Sequence, residues 1–257
     1  MRETCELALK KIEFDHAPSS SSSTSQTNNK EESEGSALAR AKAETTKQLN
    51  EEDEVDPAFL PIDPAPAHSH QTRTLLSSIP LYQAQLTAGD SLPLFDRYRA
   101  MFSLRNAVHA ARRKSEGASV PATKRKEYEE LALSAILALA KGLSDKSALF
   151  RHEICFVFGE LAHPGCVDSM VKVLGDDAEE EMVRHEAAEA LGAVVEEASE
   201  NKEEAGQEVD IVMTTLKKWA TNEQAPRVVR ESCLVALDEM AYNNDPTQFQ
   251  PVPVATA

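Results

Sequence analysis

The chain has 257 residues, of which 41% are hydrophobic, 27% are charged and only 5% are aromatic, and its formal net charge is −16. An acidic balance argues against binding to a nucleic-acid backbone, because counterion release at phosphates requires a basic surface. It favours a cationic partner, although an acidic surface more often serves only solubility. A composition rich in Ala, Leu and Glu favours helices over β-sandwiches and barrels.

The cysteines form no CxxC pair and have no zinc-ribbon spacing. They are Cys5, Cys155, Cys166 and Cys233. Met1-Arg2-Glu3 leads into an amphipathic segment rather than into the apolar stretch of a signal peptide. No run of residues approaches the length of a membrane span. We therefore expect reduced thiols in a soluble intracellular protein.

The first 73 residues divide into a short helix and a long linker. Residues 2–14 place Leu7, Leu9 and Ile12 at the spacing of an amphipathic helix of about three turns. Serine, threonine, asparagine, acidic residues and proline dominate residues 15–73, and such a composition cannot supply a core. We predict a disordered linker over 15–73, with a transient helix over 37–49.

From residue 74 to residue 241 one helical pattern follows another, and we predict a single repeat domain over this range. Gly89-Asp90 is a stop signal for a first helix over 75–86. A basic insertion over 111–126 is predicted to be a surface loop, and an acidic insertion covers 196–208. The tail, 242–257, is predicted to be flexible. Further helices are predicted over 94–108, 127–142, 147–162, 165–175, 179–197, 209–220 and 226–241.

The second helices of the predicted hairpins align on an arginine. The aligned stretches begin at Arg97, Arg151, Arg184 and Arg230. The two central arginines are 33 residues apart, a spacing typical of stacked helical hairpins. Gly159 and Gly192 each follow the arginine by eight residues. A mid-helix glycine costs about 1 kcal/mol relative to alanine, so we expect a neighbouring helix to pack closely there.

These features predict an all-α fold: a HEAT-type solenoid of about four helical hairpins, preceded by the linker and one isolated helix. The isolated helix has a counterpart at the other end of the chain. RETCELAL (2–9) matches RESCLVAL (230–237) at Arg, Glu, Cys, Ala and Leu. Residues 1–14 are therefore expected to be the second helix of a preceding repeat, as in half of a duplicated protein.

Each central arginine is followed directly by a histidine and a glutamate: His152-Glu153 and His185-Glu186. Neighbouring residues in a helix point about 100° apart, and packed helices lie about 8–10 Å apart, so the two pairs can converge on one ion. Imidazole and carboxylate ligands without thiolate suit Fe(II), Mn or Zn. The alternative is shared ancestry of the repeats, in which the glutamates only complement a positive helix N-terminus.

The outer repeats favour the metal site over that alternative. They carry Tyr98-Arg99 and Glu231-Ser232 where the His-Glu pair would fall, so packing does not require a histidine there. We therefore predict that metal ligands come from the two central repeats. The predicted ligands are His152, Glu153, His185 and Glu186. The remaining histidines are expected to be solvated: His16, His68, His70, His109 and His163.

Around the two pairs the sequence resembles deoxyhypusine hydroxylase, a family of HEAT-repeat di-iron monooxygenases. The stretches that carry the likeness are LFDRYRAMFSLRN (94–106), SALFRHEICFVFGEL (147–161), EMVRHEAAEALGAV (181–194) and APRVVRESCLVALDEM (225–240). RETCELALKKIEF (2–14) and the proline-bearing DPAFLPIDPAPA (56–67) match more weakly.

The resemblance implies an enzyme that hydroxylates the deoxyhypusine side chain of translation initiation factor 5A to hypusine. It implies iron as the cofactor, with two ions in the intact family. The four predicted ligands would hold iron, with no catalytic residue beyond them. A cationic polyamine substrate would suit an acidic chain. The expected location is the cytoplasm, or the nucleus as well.

The family pattern has four His-Glu pairs in two facing halves, whereas this chain has two pairs. We therefore expect it to match the C-terminal half, to bind one iron ion or none alone, and to need the other half or a second copy for activity. Truncation at Met1 is the explanation we favour. The alternative function is a non-catalytic HEAT-repeat protein-interaction module. A phycocyanobilin-lyase-like role shares the repeats but has no support from the His-Glu pairs.

Overall fold

The computed structural model describes residues 2–16, 63–69, 71–200 and 206–243. Within these ranges it contains ten α-helices and three short 3-10 turns. The helices are α1 (Arg2–Asp15), α2 (Thr72–Ser77), α3 (Ile79–Leu86), α4 (Leu94–Glu116), α5 (Ala122–Lys141), α6 (Ala148–Leu161), α7 (Val167–Gly175), α8 (Glu181–Glu200), α9 (Gly206–Ala220) and α10 (Arg227–Asn243). None of them combines the length and the apolar character that crossing a bilayer requires. The chain divides into two compact units, Met1–Leu131 and Ala132–Ala257.

The first unit is built around α4, against which α1, α2 and α3 pack. Leu104 of α4 is fully buried, as is Leu86 at the end of α3. The helix predicted at the start of the chain is present, and it buries Leu7. Near its end the ring centroid of Phe14 lies 5.8 Å from that of Phe95 in α4. Helix α4, most of which is buried from Phe95 to Val108, is therefore covered from several sides.

A segment outside the helices also covers α4, namely residues 63–69, which we call the strap. Both carboxylate oxygens of Asp63 lie 2.7 Å from the guanidinium nitrogens of Arg105. Ala65 is fully buried, and the backbone N–H of His68 donates to Ser103 Oγ at 2.8 Å. The predicted linker boundary at residue 73 is therefore too late, because buried polar side chains on α4 hold the strap in place.

One prediction about a histidine needs correction, and several others fall on residues outside the described ranges. His68 is half-buried rather than fully solvated, and its ring stacks on Tyr82 with the centroids 5.6 Å apart. The rest of the predicted linker, 17–62, with its transient helix over 37–49, lies outside the described residues. So do His70, the middle of the acidic insertion (201–205) and the tail from residue 244.

The predicted basic loop is much shorter than expected. Helix α4 continues to Glu116 and α5 begins at Ala122, which leaves only 117–121 outside helices. The reason is that Arg, Lys, Glu and Ala are strong helix formers, so a charged stretch need not be a loop. The break falls at Gly117 and Pro121, the turn signals within it. As a result His109, expected to be solvated, lies inside α4.

The second unit stacks its helices in two layers. Helix α6 packs against α8, and α8 packs against α10; α7 and α9 pack on the outside of this row. A Cβ atom on Gly159 would lie 3.5 Å from the Cα of Ala190, and one on Gly192 would lie 3.1 Å from the Cβ of Ala236. The close helix packing predicted at both glycines is confirmed, and with it the all-α, HEAT-type arrangement of hairpins.

Candidate metal centre

The repeat arginine fixes the helical turn that carries each His-Glu pair. Arg151 binds the carboxylate of Glu179 through Nε at 2.7 Å and donates to the carbonyl of Asp145 at 2.6 Å. Arg184 is buried, and its Nε donates to the carbonyl of Leu174 at 3.0 Å. These hydrogen bonds tie the first turns of α6 and α8 to the segments before them, so the next two side chains are held at a defined place.

Three of the four predicted ligands, His152, His185 and Glu186, come together between α6 and α8. Nε2 of His152 lies 3.1 Å from Oε2 of Glu186, and Nε2 of His185 lies 3.9 Å from the same oxygen. The glutamate side chain is only 11% exposed. Two ligand atoms at right angles on an ion with bonds of about 2.1 Å are about 3 Å apart. The separation between His152 and Glu186 is that of a hydrogen bond, and it is also compatible with neighbouring ligands of one ion.

The electrostatics of His152 follow from the same contact. The hydrogen bond with Glu186 raises the pKa of His152 above its usual value, and burial opposes this rise. The negative charges of Glu186, Glu153 and Glu189 raise the pKa further. A buried carboxylate requires a compensating positive charge. In this cluster the charge is supplied either by a protonated His152 or by a bound cation.

Glu189, which the sequence did not predict as a ligand, also belongs to the cluster. It lies one turn after His185 in α8, and its Oε1 is 3.4 Å from Nδ1 of His185. Ligand atoms of His185, Glu186 and Glu189 all lie within 4.8 Å of one another. The signal that could have identified Glu189 is the four-residue spacing from His185, which places both side chains on one helix face.

Ser232 on α10 is the second unpredicted member of the cluster. Its Oγ lies 2.7 Å from Nδ1 of His185. In the repeat alignment Ser232 takes the place of Glu186, so His185 faces the next repeat just as His152 does. Residue type alone gave no signal for Ser232; the register between α8 and α10 was needed to find it.

The structure brings His152, His185 and Glu186 together around one carboxylate oxygen. For Glu153 it shows a half-buried carboxylate in α6 whose charge raises the pKa of His152. Burial raises the pKa of the nearby Cys155 thiol, so that thiol stays protonated. A set of imidazole nitrogens and carboxylate oxygens without thiolate fits a divalent first-row metal ion. The cluster thus has the donor chemistry of a site for one ion.

Stacked helical hairpins with a His-Glu cluster between their second helices define a HEAT-repeat protein with a candidate metal site. Residues 136–238 match the sequence model for HEAT repeats. The sequence is 47% identical to deoxyhypusine hydroxylase of Mycosarcoma maydis, an alignment that covers 100% of this chain and 66% of that protein. The chain belongs to the deoxyhypusine hydroxylase family, which confirms the resemblance found in the sequence.

Two further relatives agree with this assignment. Deoxyhypusine hydroxylase of Cryptococcus neoformans var. neoformans serotype D is 38% identical over 98% of this chain and 56% of its own length. A solved structure of human deoxyhypusine hydroxylase in complex with glycerol matches with a TM-score of 0.50 and 36% identity, covering 80% of this chain and 55% of the human one. The chain therefore spans about half to two thirds of the length of these relatives.

Proposed function

We propose that this chain forms part of an iron-dependent deoxyhypusine monooxygenase, which hydroxylates the deoxyhypusine side chain of translation initiation factor 5A to hypusine. The observation that carries the proposal is the meeting of His152 and His185 at the buried carboxylate of Glu186. The names of the relatives support the reaction, and the net charge of −16 suits a cationic polyamine side chain. We propose the cytoplasm, or the nucleus as well, as its location.

His152, Glu153, His185 and Glu186 are the proposed iron ligands, and no catalytic residue is proposed beyond them. Iron, when bound, supplies the activation of O₂. The imidazoles offer nitrogen ligands, and Glu186 offers a carboxylate that burial keeps away from competing water. To bind a metal, Nε2 of His152 must release the proton it shares with Glu186. Metal affinity should therefore fall as the solution becomes more acidic.

The number of His-Glu pairs in this chain indicates that the reaction requires further metal ligands. The family resemblance implies four His-Glu pairs for two iron ions, and this sequence contains two pairs. We propose that the remaining ligands come from a complementary family half or from a second copy of the chain. On its own the chain is then expected to hold at most one ion and to have little or no activity.

Metal binding by the isolated chain tests the proposed ligands. The purified protein is reconstituted anaerobically with Fe(II), and bound iron per chain is measured after desalting. His152→Ala and His185→Ala should each lower iron affinity strongly, because each removes a nitrogen ligand. His16→Ala, an exposed position at the end of α1, is the matched control and should change nothing. Full iron content in the His152→Ala/His185→Ala double variant would refute the ligand assignment.

Activity is tested by complementation. The chain is expressed together with the N-terminal part of the Mycosarcoma maydis relative and with deoxyhypusine-bearing initiation factor 5A. We expect the factor to gain one oxygen atom, detected by mass spectrometry, only when both parts are present. If the wild-type chain binds no stoichiometric metal and no oxygen is gained, the non-catalytic interaction module becomes the better explanation.

A further inference from the structure

The last repeat has no histidine, yet it makes a polar contact with the cluster. Oγ of Ser232 lies 2.7 Å from Nδ1 of His185. The same hydroxyl donates a hydrogen bond to the carbonyl of Val228, also at 2.7 Å. Ser232 is only 5% exposed, so its hydroxyl is largely shielded from bulk water.

The direction of the second hydrogen bond determines the direction of the first. A serine hydroxyl carries one hydrogen and can accept through its lone pairs. When that hydrogen is donated to Val228, the hydroxyl can only accept from His185, and the proton then lies on Nδ1. The carboxylate of Glu189, with Oε1 3.4 Å from Nδ1, is a second acceptor that favours the same arrangement.

We propose that Ser232 is a positioning residue that holds His185 in the tautomer with the proton on Nδ1. In a neutral imidazole the other nitrogen then carries the free lone pair. That nitrogen, Nε2, lies 3.9 Å from Oε2 of Glu186, too far for a hydrogen bond but on the side of the cluster where the buried carboxylate lies. Ser232 thereby leaves Nε2 ready to bind a metal ion.

The repeat alignment explains why a serine serves here. Ser232 occupies the position of Glu186, and each residue receives the histidine of the preceding repeat: His152 meets Glu186, and His185 meets Ser232. A carboxylate at the second place would add another negative charge next to Glu186 and Glu189. A neutral hydroxyl orients the ring without that charge. The repeat without a His-Glu pair thus still contributes to the site.

The tautomer is measured in the metal-free protein, so this test does not depend on the proposed function. Long-range ¹H–¹⁵N NMR spectra are recorded near pH 8, where an ordinary imidazole is neutral, and His185→Gln assigns the ring signals. We expect the Nδ1–H tautomer in the wild type and a shift toward Nε2–H in Ser232→Ala. Ser232→Thr, which restores a hydroxyl, should return the wild-type pattern.

Three results would overturn the proposal: an Nε2–H tautomer in the wild type, a ring protonated on both nitrogens, or an unchanged tautomer in Ser232→Ala. Glu189→Ala removes the other acceptor at a half-exposed side chain, so folding of this variant is not at risk. It should keep the Nδ1–H tautomer. Loss of that tautomer in Glu189→Ala would assign the role to Glu189 and contradict the role of Ser232.

The metal consequence, which rests on the proposed function, has its own measurement. Calorimetric titration with Co(II) should show affinity about 10-fold to 100-fold weaker in Ser232→Ala, the range usual for residues that orient metal-bound histidines, and recovery in Ser232→Thr. Equal affinity in wild type and Ser232→Ala would overturn this consequence. A wild type that has the Nδ1–H tautomer but binds no metal, and whose complemented form adds no oxygen to the factor, would refute the proposed function while the role of Ser232 stands.

Discussion

Helix α4 of the first unit and helices α6 and α8 of the second occupy the same place in their hairpins but are covered differently. Eight residues after the repeat arginine, α6 and α8 have Gly159 and Gly192, against which α8 and α10 pack. At that position α4 has Arg105, whose guanidinium binds Asp63 of the strap. The comparison indicates that the residue at this position determines what packs against the helix. A glycine allows a neighbouring helix to pack closely, whereas a long cationic side chain binds the strap.

The two regions also shift the pKa of a histidine in opposite directions. Burial, followed by the charges of Arg105, Arg112 and Arg113, lowers the pKa of His109 in α4 to about 4. In α6 the hydrogen bond with Glu186 raises the pKa of His152. Burial, with help from the cationic surroundings of α4, therefore keeps His109 neutral, whereas the acidic cluster favours a positive histidine or a metal ion.

Removing the ion pair that holds the strap should cause the largest loss of stability among the predicted changes. Asp63→Ala leaves the guanidinium of Arg105, which is 1% exposed, without its carboxylate. Removal of one partner from a buried ion pair costs about 3–5 kcal/mol, and we expect a loss of that size in the free energy of unfolding. Urea titration followed by circular dichroism measures it. The double variant Asp63→Ala/Arg105→Met removes both charges and should recover much of the loss. A loss under about 1 kcal/mol in Asp63→Ala would contradict the structural role of the pair.

The pH dependence of stability tests the electrostatic difference. The pKa of His109 in the folded chain, about 4, lies below the value of about 6.5 in an unfolded chain, so the unfolded chain binds more protons between them. The contribution of His109 is therefore present above pH 6.5 or so and is lost as the pH falls toward 4. At about 1.4 kcal/mol for each pKa unit, it is on the order of 3 kcal/mol.

His109→Gln should reduce the loss of stability on acidification, measured as the difference between urea titrations near pH 7 and near pH 4.5. The exposed His16→Gln is the control and should leave that difference unchanged.

The contribution of His152 to stability should depend on pH in the opposite direction in the metal-free chain. Its raised pKa stabilises the fold below the unfolded value, and this contribution is lost as the pH rises through the folded-state pKa. NMR titrations that place both histidines on the same side of the usual value would refute the contrast.

The two glycines should give the smallest effects, but of opposite sign. In Gly159→Ala the new methyl group would meet Ala190 at an ordinary contact distance of 3.5 Å, so the better helix propensity of alanine should stabilise the fold by up to about 1 kcal/mol. In Gly192→Ala the methyl group would lie 3.1 Å from Ala236, and the overpacking should outweigh that gain by about 1 kcal/mol. Thermal unfolding of the matched pair measures the difference. Equal stability of the two variants would show that α10 can move away from the new methyl group as easily as α8 can.

Local signals in the sequence predicted the helices, the hairpin repeat and the three residues that meet at the cluster. Such signals act within a few residues: Ser147 caps α6 by accepting from the N–H of Phe150, and a turn lies at Gly89. The strap was not predictable, because Asp63 stands in a proline-rich stretch and its partner is 42 residues away. The role of Ser232 depends on the register between two helices, to which no local pattern is sensitive. Long-range pairing of polar groups is what the sequence did not reveal.

The repeat arginine has an evolutionary consequence. In three of the four aligned repeats it donates to a backbone carbonyl: from Arg97 to Leu86, from Arg151 to Asp145 and from Arg184 to Leu174. A carbonyl is present whatever the side chain, so the preceding segment can diverge in sequence without losing this contact. The two residues after the arginine take different roles from repeat to repeat: Tyr98 is buried and Arg99 donates to the carbonyl of Pro66, whereas His152 and His185 belong to the cluster. A duplicated repeat can acquire or lose metal ligands by two point mutations, which is how repeats with Tyr98-Arg99, His152-Glu153 and Glu231-Ser232 can coexist in one chain.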